Sequence, residues 1–546
     1  MSPSPQYSLA FFAALAALAG CSRDASVSVG PAAPARAEPA PAHQAGATGS
    51  ASPITSASTA AEAAKPAPSA SAAAATPPKE PVPEGPRLFA KARFAWIQPE
   101  PHASKGWLGY LGLGSSIALR GGSIATAKVP GSEGRSGCRA WYAIEPRGYI
   151  CDGDAATLDP KDPAVVAVAA AAPQTGSPWP YEYGESIGAP RYKRPPTAAE
   201  QRKAEWNLAE HLGLIAKARA SADDLDKSLV GLDLAPAADT RWGKGGEPLA
   251  WLEASPLVRE ARPFVANGST VAYTRQVDID GRTYLVSHDL ALVPKDRVKP
   301  YPRSEFHGVE IGTEAELPLA FFRKMDRPKY RRGADGTFEK TGAMWPRLAW
   351  VGLTGEEAKE GKRTFLATRE PDIWVAADEA AVVRRSEPPA IIKRASTGRR
   401  TWLDISVLGG TLVAYENDKP VFATLISPGR GGIPEAGKDP LDTASTPTGT
   451  FRVDGKFVTA TMVSSTNDLL VHTEVQYVQN FHGPHALHAA YWHDVWGEKK
   501  SGGCVNLAPI DAKRLFEWGE PPVPKDWYGL RSLPEFGPAT VVVVHK

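Results

Sequence analysis

The sequence predicts a mainly β protein of several domains, and three observations carry that reading. The chain has 546 residues, too many for one ordinary core. Short alternating apolar runs are broken by Gly- and Pro-containing turns, the signature of strands and hairpins. The hydrophobic share of 42% and charged share of 22% are those of globular protein. A net charge of +2 gives no concentrated basic face, so nucleic acid is not an expected partner. The clearest charge cluster, Lys324 to Arg332, is interrupted by Asp326 and Pro328 and reads as a solvated loop.

Residues 1–21 read as an address. The apolar run Leu9 to Ala19 is too short to span a membrane comfortably and ends in Leu18-Ala19-Gly20-Cys21. This resembles a bacterial lipobox, which implies lipidation at Cys21, a membrane anchor and the periplasmic face of a Gram-negative envelope. Ser22 in place of Asp implies the outer membrane. Residues 2–8 lack Lys and Arg, which departs from the pattern, and a plain secretory signal is the alternative. Residues 22–86 are mostly Ala, Pro, Ser, Thr and Gly without an aromatic residue, so they read as a disordered tether. As a coil such a tether spans roughly 45 Å.

Residues 87–160 read as a small β-barrel-like module. Trp107 to Leu113 is one strand, and Arg139 to Ile144 meets Gly148 to Cys151 across Glu145-Pro146-Arg147. The pattern resembles a bacterial Src-homology-3-like module. Cys138 and Cys151 either form a disulfide, worth roughly 3 kcal/mol for such a loop, or remain buried thiols. Residues 161–397 read as a β-rich intermediate region with one helix, Pro195 to Lys217, opened by a capping box of Thr197 and Glu200. A faint repeat relates Gly281 to Val286 with Lys362 to Ala367, each followed by an apolar strand (Leu290 to Val293, Ile373 to Val375). His211, His288 and His307 stand apart and read as structural or exposed.

From Thr401 the pattern is a meander. Trp402 to Val407, Thr411 to Tyr415 and Val421 to Ile426 alternate between turns, Thr446 to Val453 adds a strand, and Thr540 to Val544 closes as a buried one. A helix starts at Pro509 and runs to Trp518. Between them lies PHALHAAYWHDVWGEKKSGGCVNL, residues 484 to 507. A lone thiol, Cys504, behind a Ser-Gly-Gly turn with His488 upstream is the pattern of a cysteine acyl-transfer site. A thiol near pKa about 8.5 is mostly protonated at neutrality, so it needs a base. His488 is the candidate, forming a thiolate–imidazolium pair. The Gly502-Gly503-Cys504 turn lets backbone N–H groups converge as an oxyanion hole, with Gly503 as a donor. Tyr491 and Trp492 read as cleft walls. Five of the eleven histidines, at 472, 482, 485, 488 and 493, precede Cys504, but their spacing matches no standard zinc finger, and neither metal nor cofactor is expected.

TLVAYENDKPVFATLISPG, TPTGTFRV, ALHAAYWH and SGGCVNLAPIDAKRLFEW, in this order, resemble the L,D-transpeptidase catalytic domain (YkuD type) over residues 398–546. The resemblance implies a β-sandwich with the Cys site in a cleft, a carbonyl at Ala489 orienting the His488 ring, and Ser501 and Asn506 shaping the loop or touching substrate. It also implies peptidoglycan stem peptides as partners and 3→3 cross-linking, or protein attachment, through a Cys504 thioester. Two positions depart: many relatives have His where Gly502 stands, and many have Gly where Ala489 stands, so that one methyl would crowd the cleft. These departures motivate the alternative of a catalytically inactive peptidoglycan-binding or scaffolding lipoprotein.

Overall fold

The computed structural model describes residues 85–103, 106–220, 229–235, 263–394, 398–463 and 470–546. The signal segment with Cys21, and the tether up to residue 84, lie outside the described residues.

Three β units share one strand order. In the second unit, Leu292–Pro294, Arg282–Ser287, Thr270–Ile279, Glu182–Ser186 and Val298–Pro300 are neighbours in that sequence. In the third, Trp374–Ala376, Arg363–Thr368, Trp350–Glu360, Leu319–Phe321 and Ala381–Val383 repeat the arrangement. The first follows it too. Tyr149–Asp152 pairs with Ala140–Ala143, a bridge joins Ile144 to Leu119, and Arg87–Ala90 lies between Ser116–Ala118 and Ala156–Thr157. The two repeated sequence segments fall on equivalent strands, because each must alternate against the same hairpin partner. In the first unit Cys138 and Cys151 are disulfide-bonded.

The units differ in what is inserted after their first strand. In the third it is a hairpin, Arg327–Arg332 with Phe338–Trp345. The basic cluster expected as a loop is therefore largely a strand, and Tyr330 anchors it by facing the core and pairing with Trp374. In the second unit the insertion includes helices. The capping box at Thr197 and Glu200 forms as expected, but the helix stops at Ala204 and a second runs Leu208–Ala220. Glu205 between them is extended and bonds both Arg282 and Arg297. With Pro163–Ala170, the region holds more than the one helix expected.

The remaining strands form a two-sheet sandwich. One sheet has six strands, ordered Val309–Glu310, Lys419–Leu425, Thr411–Glu416, Thr401–Ser406, Val541–His545, Gly449–Arg452. The other has seven, ordered Ala95–Ile97, Gly109–Leu111, Gly529–Arg531, Gly455–Val463, Val471–His482, His485–Ala489, Val505–Leu507. Leu403, Ile405 and Leu412 meet Leu487, Val505 and Leu507 in the core, joined by Leu515 and Phe516 of helix Pro509–Trp518. Lys456 is fully buried and donates to the carbonyls of Phe516, Gly519 and Pro521, closing that helix's C-terminal end.

Both sheets cross the boundary expected at residue 398. Val309–Glu310 covers one edge, and the insertion of the first unit, Ala95–Ile97 with Gly109–Leu111, covers the other through Gly529–Arg531. The expected module 87–160 is thus not a free-standing bead, since it shares a sheet with the sandwich and protects its edge. Gly109 permits this approach: a Cβ there would sit 2.2 Å from the Gly529 carbonyl oxygen.

Candidate active site

Strand His485–Ala489 runs parallel to Val505–Leu507, with Leu487 opposite Val505, His488 opposite Asn506 and Ala489 opposite Leu507. Side chains alternate along a strand. Leu487, Ala489, Val505 and Leu507 enter the core. His488 and Asn506 therefore share the outer face, and Cys504, one residue before its strand, continues that face. The candidate nucleophile and base come from adjoining strands about 4.8 Å apart.

Ala489 lies on the opposite face from His488, fully buried in the sandwich core. The expectation that its methyl crowds the cleft is corrected by strand periodicity. Its carbonyl accepts a 2.8 Å hydrogen bond from His488 Nδ1. That bond fixes the tautomer and leaves the Nε2 lone pair free.

Burial dominates the electrostatics. It pushes the Cys504 thiol up to about 11, opposed by the Ala486 backbone N–H. It pushes His488 down to about 4, opposed by the bond to Ala489 and aided by nearby His472. The sulfur lies 3.8 Å from the Pro484 carbonyl oxygen, and among the described residues no hydrogen bond joins it to His488. Desolvation disfavours charge on both groups, which opposes the expected thiolate–imidazolium pair in the resting site.

The loop before Cys504 is held by its own hydroxyl. Ser501 Oγ donates to the Cys504 carbonyl at 2.5 Å and accepts the Gly503 N–H at 3.1 Å. Ser501 therefore shapes the loop, and the Gly503 N–H expected to face an oxyanion is already engaged. Gly503 has φ +130°, and a Cβ there would lie 2.9 Å from His485 Nε2 and 3.0 Å from the Ser445 carbonyl oxygen, so only glycine fits. Asn506 is buried; its backbone pairs both ways with Ser427. Its side chain lies 3.1 Å from His493 Nε2. Because His493 Nδ1 accepts the Val495 N–H, a neutral His493 carries its proton on Nε2, which pairs with Asn506 when the amide is turned to present its oxygen there. Asn506 thus orients His493 from within the strand.

The walls divide. Trp492 is half-buried, stacked on His472 at 4.1 Å between ring centroids and 5.9 Å from the His488 ring. Tyr491, expected beside it in the cleft, is buried, with its ring stacked on Tyr183 and its hydroxyl bonded to Thr270 and Thr473. It faces the second β unit instead. Sequence reasoning missed that contact, and also the roles of His472 and His493, which stood out only as members of a histidine crowd. Among the described residues no group of His, Cys, Asp and Glu is placed to hold a metal.

Among curated proteins none matches the chain. Solved structures with similarity include an L,D-transpeptidase from Stackebrandtia nassauensis, 23% identical, covering 28% of this chain and 62% of that one, TM-score 0.18. A variant Enterococcus faecium L,D-transpeptidase is 21% identical, covering 27% and 50%, TM-score 0.20. One from Mycobacterium smegmatis is 14% identical, covering 40% and 77%, TM-score 0.20. The chain thus spans between half and two thirds of the first two. The assignment rests on the family model: residues 400–544 match the L,D-transpeptidase catalytic domain, YkuD, and the chain carries that domain over those residues.

Proposed function

We propose that this protein is a peptidoglycan L,D-transpeptidase that works through a Cys504 thioester. The observation that carries the reading is the parallel pairing of the His488 strand with the strand that Cys504 immediately precedes, inside the region matching the family. In the proposed cycle the sulfur attacks the carbonyl between the third residue of a tetrapeptide stem and its D-alanine. The thiol proton passes through His488 Nε2 to the leaving amine, so charge need form only with substrate bound. An amine of a second stem, or of a protein, then resolves the thioester and restores the thiol. Desolvation that disfavours charge on both groups fits a nucleophile activated by bound substrate.

The same proposal includes a lipid anchor at Cys21, an outer-membrane periplasmic location and a tether over 22–86, all motivated by the sequence. It also includes Src-homology-3-like identity for the β units, motivated by their shared strand order. The second reading, an inactive wall-binding lipoprotein, is favoured by the missing Cys504–His488 hydrogen bond and the raised thiol.

The test incubates the protein and its Cys504→Ala variant with disaccharide-tetrapeptide and follows muropeptides by mass spectrometry. A dimer formed with loss of one D-alanine, absent with the variant, is the expected result. Product independent of Cys504, or no product from folded protein, would sink the proposal.

A further inference from the structure

The family match begins at residue 400, yet two side chains that hold the active-site segment come from the second β unit, upstream of it. Tyr491 follows His488 by one turn of chain. Its ring stacks on Tyr183 at 3.8 Å and 14°. Its hydroxyl lies 2.8 Å from the Thr473 carbonyl and 2.7 Å from Thr270 Oγ1. Thr270 Oγ1 in turn lies 2.7 Å from the Thr473 backbone nitrogen.

Giving the Thr270 Oγ1 proton to its shorter contact, Tyr491, ahead of a longer 3.4 Å contact to the Val471 carbonyl, sets the direction of each bond. A carbonyl only accepts, so Tyr491 gives its proton to Thr473. Thr270 must then donate to Tyr491, and its oxygen accepts the Thr473 N–H. The result is a closed ring of three hydrogen bonds between two modules, with Thr270, Tyr491, Thr473 and Tyr183 all buried. A second strand of contacts runs beside it: Thr473 Oγ1 donates to the Thr270 carbonyl, and the Val471 N–H donates to Ser269 Oγ. Between Val471 and Thr473 sits His472, whose ring stacks on Trp492 next to His488. The ring therefore grips both sides of that wall, the strand carrying His472 and the segment carrying Trp492.

We propose that Thr270 of the second β unit is a positioning residue for the catalytic wall, so that the functional active site extends beyond the matched domain. The inference builds on the transpeptidase reading but concerns the geometry around Cys504 whatever the substrate. Removing the Thr270 hydroxyl deletes two bonds of the ring and leaves the Tyr491 hydroxyl and the Thr473 N–H short of partners. The segment carrying Trp492 then loosens, water enters beside His488, and the thiol titrates closer to its ordinary value.

The experiment compares full-length wild type, Thr270→Val, Thr270→Ser and Tyr491→Phe, the last keeping the ring stack so that folding is preserved. One arm measures kcat and KM on disaccharide-tetrapeptide. The other measures alkylation of Cys504 by iodoacetamide against pH, which needs no substrate. Expected are a kcat loss of about tenfold or more in Thr270→Val and Tyr491→Phe with KM within about twofold, recovery in Thr270→Ser, and an alkylation midpoint lower by about one pH unit in the two defective variants. Variants that melt earlier yet keep wild-type kcat and an unchanged alkylation profile would overturn the proposal. If no variant, wild type included, turns over the stem, the transpeptidase reading fails and the alkylation arm alone decides: a shifted profile supports the positioning role, an unshifted one overturns it.

Discussion

Two buried polar clusters in this chain are built on opposite rules. In the second β unit, Arg282 bonds both carboxylate oxygens of Glu205 and both of Asp296. Arg297 adds a bond to Glu205, and His211 one to Asp296. In the candidate active site, His472 Nδ1 is buried without a hydrogen-bond partner among the described residues, and burial disfavours charge on both Cys504 and His488. The first cluster spends every charge on the fold and pins two helices to a sheet. The second leaves His472 and the thiol short of partners within the fold, as a site that reserves polar groups for a ligand does.

Breaking each cluster separates these roles. Cys504→Ala should abolish product while leaving the melting temperature near wild type, since the thiol makes only weak contacts, to the Pro484 carbonyl and the Ala486 backbone N–H. His488→Gln should cost about 10²–10⁴ in kcat, the usual worth of a positioned base, read from steady-state kinetics. Glu205→Ala strands two buried arginines and should cost about 3–5 kcal/mol of unfolding free energy in denaturant titration, with Cys504 alkylation of the folded fraction unchanged. The cluster also sets an acid limit. Burial opposes the Glu205 charge, but hydrogen bonds from Arg282 and Arg297 outweigh it and hold the carboxyl below its ordinary 4.5. Arg282 and His211 likewise hold Asp296 well below its ordinary 3.8 against burial. Folded values below unfolded ones mean the stabilisation is full above about pH 4.5 and is lost as pH falls through the depressed values. Melting temperature against pH should therefore drop below that point, and Glu205→Ala should flatten the drop.

The same contrast explains what the sequence disclosed. Helix Pro509–Trp518 starts and stops where proline and the apolar pattern put it, and the meander from Thr401 is legible because one face of each strand is buried. His488 and Cys504 stand out as candidates because residue types suited to acyl transfer follow one another in a short recognisable order. Contacts between distant segments left no local trace. Val309–Glu310 is a two-residue strand made by its partner, and Tyr491 reads as a cleft aromatic until Tyr183 is found stacked on it. The helix break at Glu205 was hidden for the same reason, since the arginines that pull it out of the helix lie far along the chain, Arg282 at the start of a strand and Arg297 in the turn Lys295–Arg297.

The smallest expected effect tests which side of the sheet a departure from the family lies on. Ala489 packs with Leu487 and Val505 in the core while His488 faces outward. If its methyl crowded the cleft, Ala489→Gly would raise turnover by opening room for the stem. On the geometry here it instead leaves the cleft walls in place, removes a fully buried methyl and loosens the backbone whose carbonyl holds His488 Nδ1. The expected outcome is a stability loss of about 1 kcal/mol from the glycine's added chain entropy and the lost packing. Turnover should stay within about threefold of wild type and should not rise, because the carbonyl, unlike the methyl, survives the substitution. A rise in kcat without loss of stability would place the methyl in the cleft and break the strand-face argument on which the placement of Cys504 also depends.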